Sequence, residues 1–377
     1  MAGIFRKLTK QFFITVNLVV SASILLLWLL PYSNQSYFWI LNLFALVLPY
    51  LLLLQVVFII FWLIAKPRLV WIPLFTLLLS WGLVDSLVSF HSPEQEQALQ
   101  PGQSRVASWN VHLFDFYENG GRLDPKMIRK AKSLAADILC VQELVFSKDT
   151  TSPMSLQRVT RQLGFQYAVT GDDRAFGVHT NINTKNEKYF PFCLAIFSNY
   201  PIIRWQKVQS LKEYNHTFIW ADVVMGSDTL RVFNVHLQSM HFVKNDYDFI
   251  ENIDRADVDV VKRQGRNILR KIRNANFQRS IQAQDVKREL QNSPYPVLLM
   301  GDFNDVPNSY AYQVIGKGLG DAFAEKGWLL GRTFQFLSPT LRLDYIFYSQ
   351  PLQPVRYHEY EWDLSDHLPV TAVFERN

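Results

Sequence analysis

The first ninety residues carry almost no charge, and that limits what they can become. Three apolar segments, 12–30, 38–64 and 70–90, are each about long enough to cross a hydrocarbon core of roughly 30 Å as a helix. A soluble helical bundle needs a polar face, and these segments offer none. A cleaved signal sequence would account for the first segment at most, since two more follow and no small-residue cleavage site is evident. The pattern predicts a transmembrane region of three helices over residues 1–90, with the lipid bilayer as its partner.

Basic residues give the expected orientation. Arg6, Lys7 and Lys10 precede the first segment, and Lys66 and Arg68 separate the second from the third. The loop PYSNQSY has no positive charge, and HSPEQEQALQ is acidic. Cytoplasmic loops carry the excess of Lys and Arg, so the amino terminus is expected inside and everything beyond residue 90 outside the cytoplasm. That describes a multi-pass integral membrane protein. Asp85 lies near the outer end of the third segment, where a carboxylate can reach water.

Residues 91–103 are polar and contain Pro and Gly, the composition of a linker. Beyond them, residues 104–377 read as a soluble catalytic domain. Short β-branched runs (RVASWNV, DILCVQ, FCLAIFS, FIWADVVM, LRVFNVHL, PVLLMG, LDYIFYS, LPVTAVF) predict strands. Asp124 and Pro125 open a helical segment whose apolar face is Met127, Ile128, Ala131, Leu134 and Ala135. Few regular crossover helices separate the strands, which argues for an α/β fold of packed mixed sheets with outer helices. Segment 244–290 starts acidic and turns strongly basic. It is either a solvated helical hairpin whose halves attract, or a basic helix facing anionic lipid or a polyanion. Cys140 and Cys193 sit in apolar runs and form no metal-ligand spacing. The net charge of +5 is compatible with phosphate-bearing substrates or an anionic surface and demands neither.

The stretch LLMGDFNDVPNS, residues 298–309, leaves a buried run and at once presents Asp302, Asn304 and Asp305. Gly, Asp, Asn and Pro are ordinary turn residues. A strand end is also a rigid platform for polar groups that do chemistry. Other strands end the same way: SWN with Asn110, CVQE with Glu143, FNVHL with Asn234 and His236, LDYIF with Asp344, LSDHLPV with Asp366 and His367. Acids, amides and two histidines are the side chains that hold a hard cation and handle a phosphate.

These motifs, in this order over about residues 104–376, resemble the signature of the endonuclease/exonuclease/phosphatase superfamily. Its members include deoxyribonuclease-I-like nucleases, abasic-site endonucleases, neutral sphingomyelinases and inositol-polyphosphate phosphatases. The resemblance implies a four-layer sandwich of two packed mixed β-sheets with outer helices. It implies that Glu143 is the principal ligand of a divalent cation, most naturally Mg²⁺ with Mn²⁺ as a substitute, with Asn110 beside it and Asp366 as a further ligand. Asp302 would orient and deprotonate the attacking water, and Asn304 would position it or bind the phosphate. His236 and His367 would donate to the phosphoryl oxygens, with Asp344 holding His367. An Asp302-bound water and a His367–Asp344 pair both fit the general base. Asp305, one step further along the turn, is assigned a loop role.

The chain also departs from the pattern. Some nucleases of the superfamily have an acid where this chain has His112, and the insertion at 244–290 is long. His241 is within range of the same cleft. Three functions follow: a membrane-anchored phosphoester hydrolase acting on a lipid headgroup or other membrane-proximal ester, an extracytoplasmic nuclease acting on DNA or RNA, and a non-catalytic binding module. No protein partner is inferable.

Overall fold

In the computed structural model, which describes residues 2–92, 97–172, 175–176, 192–210, 218–255 and 257–376, the amino-terminal region forms two long apolar helices. The first, Ala2–Leu25, tightens into a 3₁₀ segment, Leu26–Tyr32; the second is Leu41–Ala65. Among the described residues, only these two are long and apolar enough to cross a membrane. Inside the pair, Asn17 donates to Gln55 at 2.9 Å, Gln55 to Ser21 at 2.9 Å, and Trp62 to Asn17 at 3.1 Å.

The expected third span is not a span. It breaks at Ser80 into Trp71–Leu79 and Trp81–Asp85. The Ser80 hydroxyl bonds back to the Thr76 carbonyl at 2.8 Å, a competition with the helical ladder that polar side chains introduce. Nine residues rise only about 14 Å, less than half a bilayer core. The end of that segment instead forms a strand, Val88–Phe90, paired antiparallel with Trp328–Leu330. Asp85 is exposed. Of the expected linker, residues 93–96 lie outside the described residues.

Counting Val88–Phe90 as β1 and Trp328–Leu330 as β12, the remaining strands form two mixed sheets. The six-stranded sheet runs β11 (Gly320–Asp321), β13 (Asp344–Tyr348), β10 (Val297–Asp302), β9 (Asp228–His236), β8 (Phe218–Met225), β7 (Ile202–Val208). The seven-stranded sheet runs β14 (Leu352–Glu359), β15 (Val370–Arg376), β2 (Ser104–Asn110), β3 (Ile138–Val145), β6 (Phe192–Ser198), β4 (Tyr167–Thr170), β5 (Ala175–Phe176). One parallel pair lies inside each, β9–β10 and β2–β3; the neighbouring pairs are antiparallel.

Ile138, Cys140 and Ile196 of one sheet pack against Val232, Met300 and Ile346 of the other. Outside the seven-stranded sheet lie helices Pro125–Ser133 and Leu156–Leu163. The first has the expected cap, Asp124 accepting from the Lys126 amide at 2.7 Å. Outside the six-stranded sheet lie Tyr310–Gly316 and a long helix, Val258–Gln291. The apolar cluster on that side continues without a break from Phe233, Leu299 and Phe347 through Val314 and Ile315 to Leu27, Leu48 and Trp62 of the two spans. The two long apolar helices therefore pack onto the outer face of the six-stranded sheet through one shared core.

Segment 244–290 is indeed two helices, Lys244–Glu251 and the long helix, joined where Lys271 meets Asp246 at 2.5 Å. It is not simply solvated, because Ala275, Asn276, Arg279 and Ala283 are buried. Its first half keeps Lys262, Arg263, Arg266, Arg270 and Arg273 exposed.

Candidate functional site

Register alone brings three of the expected residues together. Asp302, at the end of β10, pairs with His236 on β9 and with Asp344 on β13. The glycine before it is obligatory. At Gly301, with φ +144°, a Cβ would stand 1.9 Å from the Val235 carbonyl oxygen. From the facing sheet, Asn110 ends β2 and reaches across to donate to Asp302 Oδ2 at 3.1 Å and to Glu143 Oε1 at 3.2 Å. Glu143 sits at an irregularity of β3 between Val141 and Leu144, with φ +58°. Such a bulge turns a side chain that regular pleating would send elsewhere.

Asp302 is fully buried. Its Oδ1 accepts from the Asn304 amide at 2.7 Å, and its Oδ2 accepts from the Asn304 side chain at 3.1 Å. The same Oδ2 lies 3.6 Å from Nε2 of both His236 and His367. His367 Nδ1 meets Asp344 Oδ2 at 2.8 Å, and the Phe334 ring packs edge-on against the imidazole. Burial pushes the Asp302 carboxyl up to about 7, although His367 pulls the other way. Burial also works against the His367 imidazolium, yet the carboxylates of Asp344 and Asp302 outweigh it and hold the ring well above 6.5.

Asp302, Asp344 and His367 bring ligand-type atoms within 4.8 Å of one another. Within this buried trio the Nδ1 of His367 is already engaged by Asp344. Glu143 and Asp366 differ. They face the same cavity; burial raises Glu143, and the Asp366 carboxylate raises it further. Among the described residues lining that cavity the one Arg or Lys is Arg279, which is 3.1 Å from Asp305. Facing carboxylates, with no Lys or Arg among the described residues paired to them, suit a hard divalent ion.

All eight expected site residues line this one cavity except Asp344, which stands behind His367. Asn234, read at the end of the same strand as His236, points away into the core. It donates to the Val141 and Ala195 carbonyls at 2.9 and 2.7 Å and ties the sheets together. His112 is exposed beside Asp115, off the cavity, whereas His241 lines it.

Two residues of the site were not read from sequence. Arg279 and Asn42 both bind Asp305, which lies in the turn after β10 as expected and is buried there. A lone Asn in an uncharged span was the available signal.

Fold and cleft together define a hydrolytic enzyme of the stacked-sheet α/β kind. The chain belongs to the endonuclease/exonuclease/phosphatase family, whose model matches residues 107–367. A second model, described only as a domain of unknown function, matches residues 10–87. No curated protein matches. Among solved structures, an endonuclease/exonuclease/phosphatase protein from Beutenbergia cavernae is similar over 73% of this chain and 72% of its own, with 18% identity and a TM-score of 0.50. The human Nocturnin catalytic domain, solved with sulfate, covers 74% of this chain and 97% of its own at 17% identity, TM-score 0.48. D. rerio TDP2, solved with a single-strand DNA product, covers 72% and 99% at 15% identity, TM-score 0.48.

Proposed function

We propose that the chain is a membrane-anchored, divalent-metal-dependent hydrolase of phosphoester bonds. In this reading residues 1–90 are the anchor, 91–103 the linker and 104–377 the catalytic domain. Two spans put both ends of the hairpin on one side, so Arg6, Lys7, Lys10, Lys66 and Arg68 mark the cytoplasmic face at its foot. Placing the catalytic domain outside then needs residues 67–90, short helices packed along that hairpin rather than one span, to return the chain to the outer side. The observation that carries the hydrolytic reading is Asp302, held by Asn110 and Asn304 between two histidines.

Glu143, Asn110 and Asp366 would hold the cation, Mg²⁺ or in its place Mn²⁺, which when bound neutralises phosphoryl charge. Asp302 orients a water and takes its proton; a carboxyl near 7 is matched to that task at neutral pH. Asn304 fixes the carboxylate and the approach of the water. His236 and His367 donate to the phosphoryl oxygens as negative charge accumulates. Asp344 keeps His367 protonated and oriented, which makes His367 a donor and leaves Asp302 as the base. Water supplies hydroxide to phosphorus, the ester P–O bond breaks, and the leaving alkoxide recovers a proton as the alcohol.

The exposed cations at 262–273 favour a second reading, a nuclease using them on a polynucleotide backbone. One assay tests both. The full chain in detergent should hydrolyse bis(p-nitrophenyl) phosphate with Mg²⁺ or Mn²⁺ and stop in chelator. Undiminished turnover in excess chelator refutes the metal assignment, and preferred turnover of single-stranded DNA or RNA favours the nuclease.

A further inference from the structure

The cavity that holds the polar cluster has two unlike walls. It encloses about 550 Å³, within the range of small-molecule sites. Its floor is Asn110, Glu143, His236, Asp302 and His367. The facing wall is hydrocarbon: Leu43, Leu46 and Val47 of the second span, Ile268 and Ile272 of the long helix, and Leu337. Leu43, Leu46, Val47 and Tyr50 follow the three-and-four spacing of one helical face, so the wall is a stripe of the span itself. Toward its open end Val47 and Tyr50 are 39% and 53% exposed. A phosphoester small enough to dissolve would satisfy the floor and leave this wall bare.

We propose that the substrate is a membrane lipid whose phosphoester reaches the polar floor while a hydrocarbon chain stays against the stripe Leu43–Leu46–Val47–Tyr50. This rests on the reading of the polar cluster as a phosphoester site. The stripe occupies the first turns of the second span, so the cavity opens where the span enters lipid. The long helix sets Arg270 and Arg273 beside Ser36 and Trp39, in the segment that joins the two long apolar helices. Basic side chains and an interfacial Trp are what a phosphate layer attracts. A polynucleotide would meet the cations and have no use for the wall.

The test uses the full chain in nanodiscs and p-nitrophenyl phosphodiesters carrying ethyl, octyl or tetradecyl chains, so that the reacting centre stays constant. Partition into the bilayer raises kcat/KM for long chains in any variant, so the octyl-to-ethyl ratio is compared between proteins. Leu46→Asn and Val47→Asp should each lower that ratio at least tenfold. Val57→Asn, on the same span and off the cavity, should leave it at the wild-type value. A tetradecyl phosphonate with a photoreactive chain should label residues 43–50, a readout that needs no turnover and no fully active variant. Unchanged ratios in Leu46→Asn and Val47→Asp, or labelling spread along the spans, overturn the proposal. Labelling at 43–50 in a protein that hydrolyses none of the three esters refutes the hydrolytic reading and leaves the chain groove standing.

Discussion

The side-chain amide of Asn42, in the second span, donates to both carboxylate oxygens of Asp305, at 3.4 and 3.2 Å. Its carbonyl oxygen accepts from the Tyr310 amide at 2.8 Å. Asp305 is also 3.1 Å from Arg279 Nε, an ion pair too bent to count as a hydrogen bond. One residue beyond Asn304, the catalytic turn is therefore clamped between a span and the long helix.

Asp305→Asn leaves a buried Arg279 without its counter-charge, and breaking such a pair costs about 3–5 kcal/mol. Thermal unfolding in detergent should show a large loss for Asp305→Asn and a smaller one, about 1–3 kcal/mol, for Asn42→Leu. Asp305→Asn with the stability of the wild type would return Asp305 to a mere turn.

Asp302→Asn keeps the shape of the carboxylate but cannot take a proton, so turnover should fall by about 10²–10⁴ with folding intact by circular dichroism. Asn304→Ala should slow chemistry by less. A folded Asp302→Asn enzyme at near-normal rate would exclude Asp302 as the base.

Glu143→Gln removes the ligand charge, so it should raise the metal concentration needed for half-maximal rate and lower the rate itself by orders of magnitude. Metal titrations of wild type and variant that overlay would assign the cation elsewhere.

Stability in chelator should fall as pH rises. Asp302 shifts from 3.8 unfolded to about 7 folded, and His367 lies well above 6.5 when folded. Both folded values exceed the unfolded ones, so the folded chain binds more protons across these windows. The stability present below them is lost progressively from about pH 4 upward through the folded pKa of each group. Melting temperature in chelator should drop between about pH 5.5 and 8, and Asp302→Asn should flatten that slope. A melting temperature that rises over this range contradicts the proton inventory.

On the outward placement proposed above, in which residues 67–90 return the chain from the basic foot of the hairpin, a reporter active only outside the cytoplasm, fused after Asn377, should be active. Activity only of a cytoplasmic reporter would move the substrate pool inside.

The strand ends were legible because a buried β run must stop where polar chemistry begins, and all eight expected strands formed. The edge strands β7 and β14 and the short β4 were not, since their pairing depends on partners elsewhere in the chain. The third span failed for a similar reason: β1 is drawn onto β12, some 240 residues away, by pairing that hydropathy cannot register. Asp305 looked like a turn because DVPN is turn chemistry locally, while Asn42, 263 residues earlier, decides its role. The strained backbone of Glu143 leaves no trace in composition at all.

The hydrogen bonds among Asn17, Ser21, Gln55 and Trp62 act as a ratchet pawl between the spans. Sliding one helix past the other by a single turn, about 5.4 Å, would break all three contacts at once. Asn42 is therefore held at one elevation relative to the first helix, and the turn after β10 that it clamps is held with it. In the anchored enzyme proposed above, an ester bond lying much deeper or higher than that turn would be out of reach, and the helix pair would work as a depth gauge for chemistry.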